Sequence, residues 1–358
     1  MQKKLIALAV AGAAAGFASA PVLAQSSVSV YGVIDQALTS SNGGNGSVTS
    51  LNGSGYTTER LGFKGSEDMG NGLKANFMLE MGFNSNNGYQ DVGPSGQIFQ
   101  RQAILGLSGA SWGAVNFGRQ YTPVFSIQAM NDDFRVAGIG SIYALTNDGV
   151  TRASNSIRYD SPNMSGFSLA AMYGLGDTGS GSVSPVDPKD LGRHAGLNLK
   201  YANGPLAIGY GYGEQKSTAV NGLGQVVTQK TNALAGSYDF QVVKINAGYQ
   251  TNKTDDNPES RDNRVWNVGA DMPVFGADHV KLVYAKYLEK VPNASNADAD
   301  LVSLGYVHPM SKRTTLYATY AKLTNQSNAQ INLFGGAQKT NAAGYDPSGF
   351  QVGLSHNF

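Results

Sequence analysis

The chain has 358 residues, no cysteine, and 26 basic against 25 acidic side chains, for a formal net charge of +1. That balance excludes a nucleic-acid binder, which needs a basic stripe, and the missing cysteines exclude a disulfide scaffold. Mean hydropathy is −0.23, and past the start no stretch approaches the ~20 apolar residues of a spanning helix, so a helical membrane protein is excluded too.

Residues 1–24 read as a secretory leader. Lys3 and Lys4 make the positive start, residues 5–15 the apolar run, and Val22, Leu23 and Ala24 the small-residue cleavage site before Gln25. The alternative, a membrane anchor, would need a longer run. Losing Lys3 and Lys4 from the 26 basic residues, against 25 acids, leaves the mature chain near −1.

From there the chain reads as strands. Side chains on a strand point to alternate faces, so the signal is apolar alternation with period two. Val28, Val30, Gly32 and Ile34 alternate with Ser27, Ser29 and Tyr31. Leu61 and Phe63 sit between Arg60, Gly62 and Lys64, and Leu73, Ala75, Phe77, Leu79, Met81 and Phe83 alternate with Lys74, Asn76, Met78 and Glu80. The pattern recurs at Phe167–Tyr173, at Leu197, Leu199 and Tyr201, and at Leu206, Ile208, Tyr210 and Tyr212 against Ala207, Gly209 and Gly211. Val243, Ile245, Ala247 and Tyr249 continue it, and Phe350, Val352, Leu354, His356 and Phe358 close the chain. A transmembrane barrel is polar on average for this reason, because only alternate residues meet lipid. A soluble β-sandwich competes, but its core does not suit glycine and tyrosine spread so evenly.

Connections alternate in length. Short ones fall at 68–72, 110–113, 161–165, 202–205 and 275–278; long ones at 41–57, 84–97, 121–152, 174–191, 216–228, 254–262, 291–299 and 325–347. Short turns on one side and long loops on the other predict an all-β fold, an antiparallel transmembrane barrel of about sixteen strands. The stretch 121–152 is the outlier, long without a Gly/Asn/Ser-rich make-up. A connection of that length inside a compact fold carries function. It is expected to fold into the lumen and narrow it, with Val124, Phe125, Ile127, Met130 and Phe134 gripping the wall and Asp132 and Asp133 facing water. Aromatic residues near strand ends (Phe63, Phe83, Phe117, Tyr159, Tyr201, Tyr212, Phe240, Tyr249, Trp266, Tyr306) form as a set the expected girdle at the two membrane interfaces.

Several blocks then carry a resemblance: SSVSVYGVIDQAL, ERLGFKGSEDMGNGLKANFMLE, QRQAILGLSGASWGAVNFGRQYTP, NSIRYDSPNMSGFSLAAMYG and the terminal GFQVGLSHNF. The chain resembles the general-diffusion porins of Gram-negative outer membranes, most of all their β-proteobacterial branch. The resemblance implies a single barrel domain over 25–358, with 121–152 as its constriction loop, and a homotrimer in which every barrel has its own water-filled pore. It also implies passage of ions and small hydrophilic solutes, contact with outer-membrane lipid and lipopolysaccharide, and no cofactor. Phe358 would be the address read by the barrel-assembly machinery.

Parity places the charges. Arg60 is in step with Gly62 and Lys64, and Arg158 with Ser156 and Asp160, so both face the lumen; arginine on the lipid face costs ~2–4 kcal/mol at mid-membrane. Arg101 is in step with Ala103, Leu105 and Leu107, and only the resemblance puts it at the constriction. Arg60, Arg101 and Arg158 are expected as a basic ladder opposite Asp132 and Asp133, giving weak anion selectivity. Lys64, Lys74 and Glu80 line the pore by parity. Arg119 is in step with Val115 and Phe117 and points away from the lumen. By resemblance it lies near the subunit contact, with Asp91 of a neighbour as its candidate latch partner.

Two rival functions remain in view. A substrate-selective porin would show aromatic residues stepping down one wall, and no such run is visible. A surface barrel acting as adhesin or hydrolase would need a site. Gly109–Gly113 matches a nucleophile elbow but lacks the following helix. The glycines at 174, 176 and 179 match a dinucleotide fingerprint but sit in a Gly/Ser loop, and the histidines at 194, 279, 308 and 356 lack metal-ligand spacing.

Overall fold

The computed structural model describes residues 27–44, 46–91, 96–147, 150–176, 192–218, 226–255, 262–291, 294–336 and 342–358. The expected leader lies outside them, as do most of the loop at 174–191 and the middle of that at 216–228. The described residues form one antiparallel sheet: β1 (Ser27–Asn42), β2 (Ser47–Gly53), β3 (Arg60–Gly70), β4 (Leu73–Met81), β5 (Gln102–Gly109), β6 (Gly113–Tyr121), β7 (Arg152–Asp160), β8 (Phe167–Leu175), β9 (Arg193–Asn203), β10 (Leu206–Thr218), β11 (Val226–Asp239), β12 (Lys244–Asp255), β13 (Asp262–Val274), β14 (Asp278–Glu289), β15 (Ala299–Pro309), β16 (Thr314–Asn325) and β17 (Ser348–Asn357). β1 pairs with β17, from Val33 opposite Asn357 to Asn42 opposite Ser348, and the sheet closes on itself. Closure leaves no edge strand to hydrogen-bond in lipid.

Seventeen strands fill sixteen places around the wall, because β2 and β3 share one. β2 pairs with residues 36–42 of β1, and β3 with residues 27–33 on the same side. β2 lies inside a stretch expected to be loop. Its sequence, SVTSLNG, is exposed along its first half and lacks the clean apolar alternation that marks a lipid-facing strand. Residues 54–59, between β2 and β3, leave the wall and are held inside. The Asp35 carboxylate accepts from the N–H groups of Gly55 at 3.1 Å, Tyr56 at 3.0 Å and Thr57 at 2.7 Å, and from the Tyr317 hydroxyl at 2.5 Å. Glu59, buried, accepts from Asp35 N–H at 3.0 Å and from Ser85 N–H at 2.9 Å.

Alternation decides which face is which. On β15, Val302, Leu304, Tyr306 and His308 are exposed outward, while Leu301, Ser303 and Val307 are buried inward. Outward positions elsewhere are Val28, Val30, Leu105, Phe117, Leu199, Tyr249 and Phe350; inward ones include Thr39, Asn246, Gln250, Asn267, Thr319 and Gln351. Lipid takes the first set and the lumen the second. Girdle rings meet on the outer face at Phe167–Tyr201 (4.6 Å between centroids) and Trp266–Tyr284 (5.3 Å). Gly109–Gly113 is the turn between β5 and β6, and its serine opens no helix.

Candidate pore constriction

The loop after β6 contains α1 (Pro123–Met130) and a short α2 (Tyr143–Thr146). Thr122 starts α1: its hydroxyl oxygen accepts from Phe125 N–H at 3.3 Å and donates to the Val150 carbonyl at 2.5 Å. Its N–H donates to the Thr151 carbonyl at 3.0 Å, so the two ends of the loop are tied together. Pro123 takes the first helical position, where its missing N–H is no loss.

The wall under α1 is stripped of side chains. Gly209, Gly211 and Gly213 are the inward residues of β10, and a Cβ added to them would lie 2.7 Å from Ile127 Cδ1, 2.9 Å from Val124 Cα and 2.7 Å from Val124 Cγ1. On the next strand Ala233 and Ala235 complete the seat. Farther along, Phe134, Ile139, Ile142 and Leu145 enter an apolar patch of Val265, Val283, Ala285, Leu301, Ala321 and Leu323. Each such side chain removed from water stabilises the packed loop by ~1.5–3 kcal/mol. Polar pins fix its position: Asn198 Nδ2 donates to the Pro123 carbonyl at 2.8 Å, Gln128 Nε2 to Gln250 Oε1 at 2.8 Å, and Asn131 Nδ2 to Asn267 Oδ1 at 2.5 Å. Val124, Ile127, Met130 and Phe134 grip the wall as expected. Phe125 does not; on the opposite side of α1 it faces the open lumen.

The two loop aspartates also depart from expectation, since neither faces water. Asp132 is 7% exposed. Its carboxylate turns back into the loop and accepts from Phe134 N–H at 2.9 Å, Val136 N–H at 3.1 Å and the Ser141 hydroxyl. These bonds hold Arg135 (φ 60) and Val136 (φ 57), two consecutive left-handed residues that would otherwise be disfavoured. Burial pushes the Asp132 carboxyl up to about 6, against the pull of its hydrogen bonds. Asp133 turns to the far wall beside Gly269 and Asn246, and its carbonyl accepts from Lys281 Nζ at 3.1 Å. An aspartate beside backbone N–H groups in a tight turn is drawn to them, which strand parity does not foresee.

The open side of the lumen carries the positive charge. Arg60 donates to the Thr58 carbonyl at 3.0 Å and hydroxyl at 2.6 Å. Arg101 donates to Glu80 at 2.8 Å, to the Thr58 hydroxyl at 3.2 Å and to the Tyr121 hydroxyl at 2.8 Å. Its ambiguous parity has a simple resolution: β5 begins at Gln102, and Arg101 sits in the bend before it. Arg158 lies toward the short-turn end, chelated by Asp160 (2.6 Å at the closest) and donating to the Tyr121 carbonyl at 2.7 Å. Tyr121 thus connects two of the three expected ladder members, Arg101 and Arg158, while Arg60 and Arg101 meet at the Thr58 hydroxyl.

Sequence parity missed two further cations. Arg152 donates to the Tyr121 hydroxyl at 2.8 Å and stacks over that ring at 4.4 Å, and Arg135 stacks over Tyr56 at 4.5 Å. Arg152 is in step with Arg158 along the chain, a usable signal, although a bulge opposite Gly118 and Gln120 breaks the register between them. Arg60, Arg101, Arg135 and Arg152 line one cavity of about 360 Å3, together with Asp91. A second cavity of about 420 Å3, on the other side of Phe125 and Ala129, holds Arg158 and Asp160.

The remaining expected residues fall as follows. Glu80 is inward but buried beneath Arg101 and accepts from the Tyr31 hydroxyl at 2.9 Å, so it does not line open water. Lys64 is exposed, its ammonium 5.1 Å from the Tyr31 ring centroid. Lys74 is exposed next to the first short turn, away from the narrow point. Arg119 points outward, donating to the Gln100 carbonyl at 2.5 Å and to Ser154 at 2.8 Å. Asp91 lines the arginine cavity of its own barrel. Phe358 lies on Gly32, exchanging backbone hydrogen bonds with it at 3.1 and 3.2 Å.

A family model described as "Gram-negative porin" matches residues 7–328. The chain is 36% identical to outer membrane porin protein 32 of Delftia acidovorans over the whole of both chains. It is 31% identical to an outer membrane porin protein of Bordetella pertussis, over 90% of this chain and 94% of that one. Among solved structures, the anion-selective porin from Comamonas acidovorans superposes with a TM-score of 0.83 at 32% identity, covering 93% of this chain and 100% of that one.

Proposed function

Because the chain belongs to the Gram-negative porin family, and so forms a passive outer-membrane channel, we propose that this channel prefers small anions and that the arginines of its narrow part set the preference. One observation carries the reading: four guanidiniums, against the single carboxylate of Asp91, line the narrow cavity beside α1. Arg60, Arg135 and Arg152 have no carboxylate within ion-pair distance among the described residues, whereas Arg101 is matched by Glu80 and Arg158 by Asp160. The likeness to a solved porin titled anion-selective supports the same sign.

The mechanism is electrostatic. A charge acts across a pore only over about a Debye length, ~8 Å at physiological salt. The mature net charge near −1 is therefore a poor guide, and the local excess of guanidinium decides. An anion entering the cavity exchanges part of its water shell for N–H donors and leaves on the far side without chemistry. The test is a reversal potential across a KCl gradient in a planar bilayer. We expect the sign of chloride preference, weakening as salt rises; potassium preference in dilute KCl would refute the reading.

We infer the route of assembly likewise. Residues 1–24 are a leader removed on export, Phe358 is an insertion address, and three copies associate with Arg119 near the contact. Support comes from the family, from the outward direction of Arg119, and from the apolar outer wall of β1 (Val28, Val30, Ile34, Leu38). Arg119→Ala should lower the melting temperature of the oligomer in detergent more than it changes conductance. Deletion of Phe358 should leave exported, poorly inserted chain.

A further inference from the structure

The arginine cavity has a second lining of opposite character. Tyr121 stacks on Phe125 with ring centroids 5.1 Å apart and planes at 11°. Phe125 meets Tyr143 edge-to-face at 6.1 Å, and Tyr143 meets Phe334 edge-to-face at 5.2 Å. All four rings are only partly buried, and all four border the cavity that holds Arg60, Arg101, Arg135 and Arg152. The rings come from β6, α1, α2 and the loop after β16, so no single run in the sequence announces them. A row of aromatic faces is no help to a hydrated chloride ion, which must pass it without hydrogen bonds. An anion with a flat apolar body uses both linings.

We propose that the constriction is a binding site for small aromatic carboxylates, which the channel passes in preference to aliphatic carboxylates of the same charge. The carboxylate takes N–H donors from Arg60 or Arg152, whose planar forks match it two-to-two. Arg152 is pre-set for this by Tyr121, whose ring centroid lies 4.4 Å from its guanidinium carbon and whose hydroxyl accepts from it at 2.8 Å. The ring of the solute lies against the Phe125–Tyr143–Phe334 row in the offset or edge-on arrangements such rings favour. A cavity of about 360 Å3 is within the range of small-ligand sites. Because opening on both sides is required for transit, binding is weak, and the site acts by raising the local concentration of its solute.

The proposal deepens the anion reading and rests on it. The test is block of KCl current through the purified protein in a planar bilayer by benzoate, cyclohexanecarboxylate, propionate and benzyl alcohol. Benzoate should half-block at a concentration at least fivefold below that of either other acid, and benzyl alcohol should not block. Tyr143→Leu with Phe334→Leu, which keeps apolar bulk but removes the ring faces, should bring benzoate to the level of propionate. Arg60→Gln with Arg152→Gln should abolish benzoate block. Equal half-blocking concentrations for benzoate and propionate in the wild type overturn the proposal, as does a benzoate advantage that survives the leucine pair. Chloride preference without a benzoate advantage leaves the anion reading standing and sinks this one; potassium preference sinks both.

Discussion

The two halves of the barrel interior are built on opposite rules. From β9 round to β17 the inward residues include glycines, alanines, the aliphatic Val265, Val283, Leu301 and Leu323, and uncharged polar side chains such as Asn198 and Gln250, and the constriction loop lies on them as a tightly packed lining. From β3 to β7 the inward residues include Arg60, Asn116 and Arg158, and they border the open cavities. One half uses shape to hold the loop and the other uses charge to meet the solute. The contrast teaches that pore radius and pore sign are set by different residues, on different strands, and can be altered separately.

The largest effect is expected from the packed half. Ile127→Ala removes a fully buried side chain from the glycine seat and should lower stability by ~2–5 kcal/mol, read as thermal unfolding in detergent. Single-channel current should become larger and noisier while the reversal potential hardly moves. Were the reversal potential to shift strongly instead, the separation of shape from charge would be broken.

Next comes Asp132→Asn. Sequence parity would have this change make the pore more anion-selective. The structure instead makes Asp132 an internal clamp, so the expected result is a loss of ~1–3 kcal/mol, since a buried amide cannot accept all three hydrogen bonds and brings donors of its own. Selectivity in KCl should be nearly unchanged, and a clear shift would show that its charge reaches the pore.

Changing Arg60→Gln together with Arg152→Gln probes the open half. Two charges removed within several ångströms of a passing ion amount to ~1 kcal/mol in a watery pore, or a permeability ratio changed roughly five- to tenfold in dilute KCl. The effect should fade at 1 M salt, where the Debye length is ~3 Å.

The smallest effect is pH dependence. The Asp132 carboxyl is raised to about 6 in the fold, above its ordinary value near 3.9 when unfolded. The fold therefore favours its protonated form: that stabilisation is whole below pH ~4 and is lost as pH rises through about 6. The stability difference between wild type and Asp132→Asn should move toward the wild type as pH falls from 7 to 5, by no more than about 1.4 kcal/mol per pH unit. A difference flat with pH would mean that the carboxyl titrates elsewhere.

Much of this was legible in the residues. Alternation reports a face directly, so strands such as β4 and β17 and the lumen positions of Arg60 and Arg158 followed from counting by two. The long connection at 121–152 announced itself by composition. What counting could not reach depends on chain leaving the strand. Asp132 is satisfied by its own turn, Arg101 occupies a bend, Asp91 returns over its own pore, and residues 54–59 interrupt a strand. The aromatic row is invisible for another reason, since Phe334 and Phe125 meet Tyr143 only after the barrel has closed. The alternate glycines of β10 hide a further clue: they look like weak strand residues and are the imprint of α1.

Gly32 and Phe358 hold the first strand to the last residue of the chain. Every other seam in the wall joins segments that are near neighbours in order of synthesis, but this one joins the two ends. Closure therefore comes last: β1, the first strand to be made, waits for this partner until β17 is in place.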